Sequence, residues 1–212
     1  MGTAGDRAAR RPRVASTPGW LGHVQAGQIG QMEFAKLGTV GSDGALDYAT
    51  PYADDDGRDH EIHRRGHFGP ELAVQTKIAM SLHLNNGARE FGARIDFKAG
   101  RPVRSSPIYW YFFCYIDPRS MRVEGPCFLV PSAVVHRLGA RLNRGRLTEI
   151  VFKASMEPGS HDRWVRYRVP AAEVGRRLLA IIRALDARRL AAGAALDPGD
   201  FEHAVLIRRR RR

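Results

Sequence analysis

Three side chains of different chemistry fall close together in this chain: the carboxylate of Asp59, the amide oxygen of Gln75 and the ammonium of Lys77. Asp59 follows an acidic run, Asp54-Asp55-Asp56-Gly57-Arg58, and leads into His60-Glu61-Ile62-His63. A turn bounded by Gly66 and Pro70 comes next, and then Glu71-Leu72-Ala73-Val74-Gln75-Thr76-Lys77. Side chains alternate between faces along an extended strand. Leu72, Val74, Thr76 and Ile78 therefore share one face, suited to a core, while Ala73, Gln75 and Lys77 share the other. Asp59, Glu61 and His63 share a face of the preceding strand. Paired as a hairpin, the two strands bring Asp59, Gln75 and Lys77 together. A carboxylate and a neutral oxygen are ligands for a hard divalent cation. A neighbouring ammonium can meet negative charge that grows on a phosphate.

The elements around this stretch must hold it in place. Residues 25–37 read as a helix with Ile29, Met32, Ala35 and Phe34 or Leu37 in a buried stripe, ended by Gly38 and Gly41. Residues 46–50 read as a first strand, stopped by Pro51. Asp54 and Asp55 read as solvated loop, whereas Asp59 enters a strand and its neighbour Gly57 permits a tight backbone approach. Residues 79–107 read as a substrate-facing insertion with one strand near 94–98. The run Ile108-Tyr109-Trp110-Tyr111-Phe112-Phe113-Cys114-Tyr115-Ile116 is continuously apolar or aromatic, as in a central strand buried on both faces. Residues 128–130 form a short strand, and Ser132 is an N-cap for a helix to about residue 143. Two more strands are expected at 147–154 and 164–169. Pro170 then opens a helix whose apolar positions are Val174, Leu178, Ile181, Ile182 and Leu185.

With these pieces in place, the chain resembles the core of the PD-(D/E)XK nuclease superfamily. It is most similar to a bacterial group of domains of unknown function that carries such a core. The resemblance lies in Gly27-Gln28-Ile29-Gly30-Gln31-Met32-Glu33, Asp56-Gly57-Arg58-Asp59, Gln75-Thr76-Lys77 and the strand-to-helix step Phe128-Leu129-Val130-Pro131-Ser132, and it covers roughly residues 25–140. It implies a restriction-endonuclease-like mixed central sheet flanked by helices, in one α/β domain over residues 18–200. It further implies a metal-dependent phosphodiesterase acting on DNA or RNA, with DNA ahead of RNA. Mg²⁺ or Mn²⁺ would be held by Asp59, Gln75 and the Thr76 carbonyl. Lys77 would orient the attacking water or stabilise charge, and Glu33 would position water or a second ion. The chain departs from the commonest pattern at Gln75, where an acid is usual. The alternative is therefore a catalytically inactive nucleic-acid-binding module that retains the fold.

The charge balance agrees with an anionic partner. The chain carries 34 Lys and Arg against 22 Asp and Glu, a formal net charge of +12, and nucleic acid is the usual partner of so basic a protein. A genomic preference for arginine would produce the same excess, in which case a protein-interaction domain is the third reading. Lysine occurs only at 36, 77, 98 and 153, so Lys77 stands out. His63, Arg89, Arg94 and Lys98 are the candidate nucleic-acid contacts. The arginine-bearing residues 1–17 and the arginine run within 201–212 read as disordered basic tails. A homodimer is expected if both strands of a duplex are cut.

Other chemistries are excluded. His60-Glu61-Ile62-His63 is one residue short of the HExxH zinc spacing. Cys114 and Cys127 form neither a disulfide framework nor a CxxC pair, and read as buried thiols of a reducing compartment. No run approaches the roughly 20 apolar residues of a membrane span, and no apolar leader is present, so a cytoplasmic protein without a membrane partner is expected.

Overall fold

The computed structural model describes residues 18–51, 57–67, 69, 71–98, 103–144 and 147–191. The elements are α1 (His23–Gly41), β1 (Leu46–Ala49), β2 (His60–Arg64), β3 (Leu72–Ala79), β4 (His83–Asn85), β5 (Ala88–Lys98), β6 (Tyr109–Asp117), β7 (Arg122–Pro131), α2 (Ser132–Leu138), β8 (Ala140–Arg144), β9 (Leu147–Ser155), β10 (Arg168–Val169) and α3 (Val174–Ala191). Both expected tails lie outside the described residues.

The aromatic run at 108–116 becomes β6, and its continuity has a structural cause. Six strands order as β1-β2-β3-β6-β7-β10, with β3 and β6 parallel and the other neighbours antiparallel. Phe112, Cys114 and Ile116 enter one core, with Phe34 of α1 and Leu178 and Ile182 of α3. Tyr111, Phe113 and Tyr115 enter a second core on the other face. A strand covered on both sides has no polar face to present. The result is a mixed α/β domain whose central mixed sheet has α1 and α3 on one face. On its other face lie the short helix α2 and a second, antiparallel sheet of order β4-β5-β9-β8.

The second sheet overturns one expectation. Residues 79–107 are not a loop insertion with a short strand; β4 and the long β5 supply half of a packed sheet. Its inner residues Phe91 and Phe152 are fully buried against Phe113 and Phe128, with Phe113 and Phe152 stacked at 3.8 Å. Each buried aromatic contributes on the order of 2 kcal/mol, so side-chain packing holds the two sheets together.

Helix α1 is longer than expected, because Gly38 and Gly41 remain helical. The reason is space. A Cβ on Gly30 would lie 2.3 Å from Cγ2 of Ile78, and one on Gly38 would overlap the Tyr48 hydroxyl. One on Gly175 of α3 would fall 2.3–2.4 Å from backbone atoms of Gly38, Gly41 and Ser42. The glycines let α1 sit on the sheet and let α3 cross it at backbone contact. The buried stripe is accordingly Ala26, Gly30, Phe34 and Gly38, while Met32 is exposed at 71%.

Two further expectations are corrected. Helix α2 ends at Leu138 rather than near residue 143, because Gly139 turns extended against Ile150 and the chain enters β8. Its N-cap is Pro131; Ser132 is buried instead, with its hydroxyl accepting from Ser106 N–H at 3.1 Å and donating to Ser106 carbonyl at 3.2 Å. Of the strand expected at 164–169, only Arg168 and Val169 join the sheet; Val165–Tyr167 is a 3-10 turn. Cys114 and Cys127 are free and buried, and burial pushes the Cys127 thiol up to about 12. Among the described residues no helix is long and apolar enough to cross a membrane.

Candidate functional site

The hairpin expected from the sequence forms. Strands β2 and β3 pair antiparallel with His60 opposite Val74, Glu61 opposite Ala73 and Ile62 opposite Leu72. The far end of this hairpin is tied to α3. Arg64 donates to the Glu71 carboxylate and, at 2.5 Å, to Asp186 of α3. Burial would raise the Glu71 carboxyl, but the hydrogen bonds and charge of Arg64 outweigh it and hold the group below the usual carboxylate range.

At the near end the ladder stops after His60, and the Asp59 side chain continues it. Asp59 N–H donates to the Val74 carbonyl at 3.0 Å, and Thr76 N–H donates to the Asp59 carboxylate at 2.6 Å. Even-numbered amides of β3 point towards β2, so the carboxylate stands where the next strand carbonyl would have been. This fixes the Asp59 carboxylate on the Thr76 backbone, the residue between Gln75 and Lys77. Both of these side chains are partly buried on the sheet face away from α1, and Lys77 forms no ion pair with another described residue. Gly57 turns with φ +69°, and a Cβ there would lie 2.9 Å from Gln75 Nε2. Only glycine allows the loop so close to the amide.

A group of polar residues not marked in the sequence extends from this point. The Tyr109 hydroxyl lies 3.2 Å from Gln75 Oε1 and 3.3 Å from the Gly57 carbonyl, and donates towards both. The Tyr109 and Tyr111 rings are 5.2 Å apart, and the Tyr111 hydroxyl is 2.9 Å from His136 Nε2. His136 Nδ1 is 2.7 Å from the Ser105 hydroxyl. Burial, with Tyr109 adding, raises the Tyr111 phenol beyond its usual range; burial, with the charge of Arg141 adding, lowers His136 to about 4. A neutral imidazole therefore joins α2 and the 103–106 segment to β6. The one signal available was the spacing of Tyr109 and Tyr111, which places both on the Gln75 face of a strand otherwise read as core.

The remaining candidates stand elsewhere. Glu33 is on α1, across the sheet from Gln75 and Lys77, with its carboxylate 2.5 Å from Lys36 Nζ. His63 is four residues along β2 from Asp59, roughly 13 Å away at strand spacing, and faces Asp47 of β1. Arg89 and Arg94 are on β5 of the second sheet, 3.1 Å from Glu157 and 4.0 Å from Glu149. The side chain of Lys98 lies outside the described residues, as do Asp54, Asp55 and Asp56.

The oxygen donors this stretch offers are the Asp59 carboxylate, Gln75 Oε1 and the carbonyl of Thr76. One carboxylate and an amide, without His or Cys, form a hard donor set that fits Mg²⁺ or Mn²⁺ rather than Zn²⁺. Among the described residues no three of His, Cys, Asp and Glu cluster as a metal site. A cation held here would keep most of its water.

No family model matches the chain, and no curated protein matches it. Among solved structures it is similar to a bacterial homing endonuclease, I-Ssp6803I, at 15% identity. That match covers 79% of this chain and 99% of the other, with a TM-score of 0.48.

Proposed function

We propose that the protein is a metal-dependent nuclease, a phosphodiesterase acting on DNA or RNA, with Asp59, Gln75 and Lys77 as its catalytic core. The observation that carries the reading is the docking of the Asp59 carboxylate at 2.6 Å on the amide of Thr76, the residue flanked by Gln75 and Lys77 in β3. Asp59, Gln75 and the Thr76 carbonyl would hold Mg²⁺ or Mn²⁺. Such an ion, when bound, makes water more acidic and offsets phosphate charge. In hydrolysis water attacks phosphorus and one P–O bond breaks. The ammonium of Lys77 stabilises the charge that grows on the non-bridging oxygens. Tyr109 orients the Gln75 amide, and Gly57 closes over it.

The test is a cleavage assay on labelled single- and double-stranded DNA and RNA with Mg²⁺, Mn²⁺ or EDTA. Metal-dependent cutting is expected, reduced about 100-fold or more in Lys77→Ala and Asp59→Ala. Equal rates in parent and variants overturn the assignment.

One observation favours a second reading. Asp59 and Gln75 are both already held, by the Thr76 amide and the Tyr109 hydroxyl, as they would be in a nucleic-acid-binding module that keeps these residues for structure alone. Salt-sensitive binding without cutting in any metal identifies that case.

A further inference from the structure

At the opposite edge of the six-stranded sheet from β1, a cleft of about 610 Å³ opens between the 3-10 turn at Val165–Tyr167 and the first turns of α3. Arg166, Arg168, Arg176 and Arg177 line it, and Glu173 is the acid among its described lining residues. Arg168 turns its guanidinium to the other face of β10, over Phe128, so Arg166, Arg176 and Arg177 against Glu173 leave +2 on one concave surface. We propose that this cleft is a second nucleic-acid contact, a site for phosphodiester oxygens apart from the candidate catalytic site. The proposal rests on the reading of nucleic acid as the ligand.

The arginines have distinct roles. Arg168 belongs to the cleft wall through its β10 backbone, its guanidinium being spent on the carbonyls of Ser155 and Glu157 at 2.7 Å each and on Asp162 at 3.8 Å. Arg166 is braced, donating to the Tyr167 hydroxyl at 2.6 Å and lying 4.8 Å from that ring's centre. Arg176 is 69% exposed, and its pair with Glu173 spans 3.7 Å between two exposed groups, a surface contact of little energy that an incoming anion can replace. Arg177 is exposed and forms no ion pair with another described residue. Like charges held around one concavity repel, and an anion relieves that repulsion while gaining from the focused field. Guanidinium forks match phosphate oxygens two at a time. The volume is that of a small-molecule site rather than of a single phosphate, so a run of backbone fits it.

Place separates this cleft from the candidate catalytic site. Between β3 and β10 the sheet order counts three strand spacings, at least about 14 Å. The cleft's α3 residues also stand on the sheet face opposite Gln75 and Lys77, so the cleft takes phosphates apart from the one that Lys77 would meet.

The experiment measures binding of labelled single- and double-stranded DNA and RNA across a salt series in EDTA. It uses the full chain, Arg176→Ala/Arg177→Ala, and Arg183→Ala/Arg188→Ala. The last pair removes the same charge from exposed positions of the same helix outside the cleft. For a duplex the slope of log K against log salt should fall by about 1.8 in the cleft variant, about 0.9 per lost phosphate contact, and by clearly less in the control. Equal slope changes in the two variants overturn the cleft, even where Lys77-dependent cutting is found and the nuclease reading stands. A slope lost in the cleft variant from a parent that never cuts keeps the cleft and moves the function to the binding module. A parent that neither cuts nor binds overturns both.

Discussion

Asp59 serves the backbone and the candidate chemistry with the same carboxylate. The oxygen that accepts from Thr76 N–H at 2.6 Å completes the sheet where β2 ends, and the charge it carries is what a cation would require. The two roles can be separated, since an amide oxygen accepts the same hydrogen bond without the charge. Asp59→Asn is expected to unfold in urea within about 0.5 kcal/mol of the parent. Its metal-dependent cutting should nevertheless fall about 100-fold. Asp59→Ala should lose the same activity and, in addition, about 1 kcal/mol of stability. Should Asp59→Asn cut normally, the acid is a strand cap and nothing more. Gln75 shows the same economy: Tyr109 and Gly57 fix its amide, so the residue standing where the sequence resemblance leads one to expect an acid is held in one orientation.

Between elements, the decisive contact is made by atoms that are absent. Helices α1 and α3 meet through Gly38, Gly41 and Gly175, where any Cβ on Gly175 lands 2.3–2.4 Å from backbone. Backbone cannot swing aside as a long side chain can, so the helices must separate. Gly175→Ala should cost about 3 kcal/mol, read as a lower urea midpoint at unchanged denaturant slope. Because Arg64 links β2 to Glu71 and to Asp186 of α3, a shift of α3 would also loosen the hairpin that presents Asp59. An Ala variant as stable as the parent would mean that the crossing is not close packed.

Across the whole molecule, the layer between the two sheets makes stability depend on pH. His136 is 5% exposed and joins α2 to Tyr111 and Ser105. Its folded value of about 4 lies below the ordinary value of about 6.5. Between these values the unfolded chain binds the proton and the folded chain does not. Its contribution is therefore fully present above about pH 6.5 and is lost as pH falls towards 4. From about pH 7 to about pH 5 the loss should be roughly 2 kcal/mol. His136→Gln, which cannot titrate, should lose that much less over the same interval in urea titrations. A parent and variant with parallel pH dependence would show that the imidazole takes up its proton in the fold as readily as in the unfolded chain.

Local pattern carried much of this fold. The period-2 alternation around Gln75, the continuous run at 108–116 and the helical spacing from Val174 to Leu185 each appear as strand or helix with the expected buried face, because each reports its own surroundings through adjacent residues. Gly57 likewise announced its tight approach by being glycine. The extent of β5, the early end of α2 and the persistence of α1 through Gly38 were hidden. Each depends on a partner distant in sequence: β9 for β5, Ile150 for Gly139, Tyr48 and Gly175 for α1. The sequence by itself determined which residues alternate and which charges prevail. Only the tertiary structure decided that the Asp59 carboxylate docks on the Thr76 amide, that Glu33 lies across the sheet from Gln75 and Lys77, and that arginines of α3 and of the turn before β10 share one cleft. Those are distances through space between segments that no local period connects.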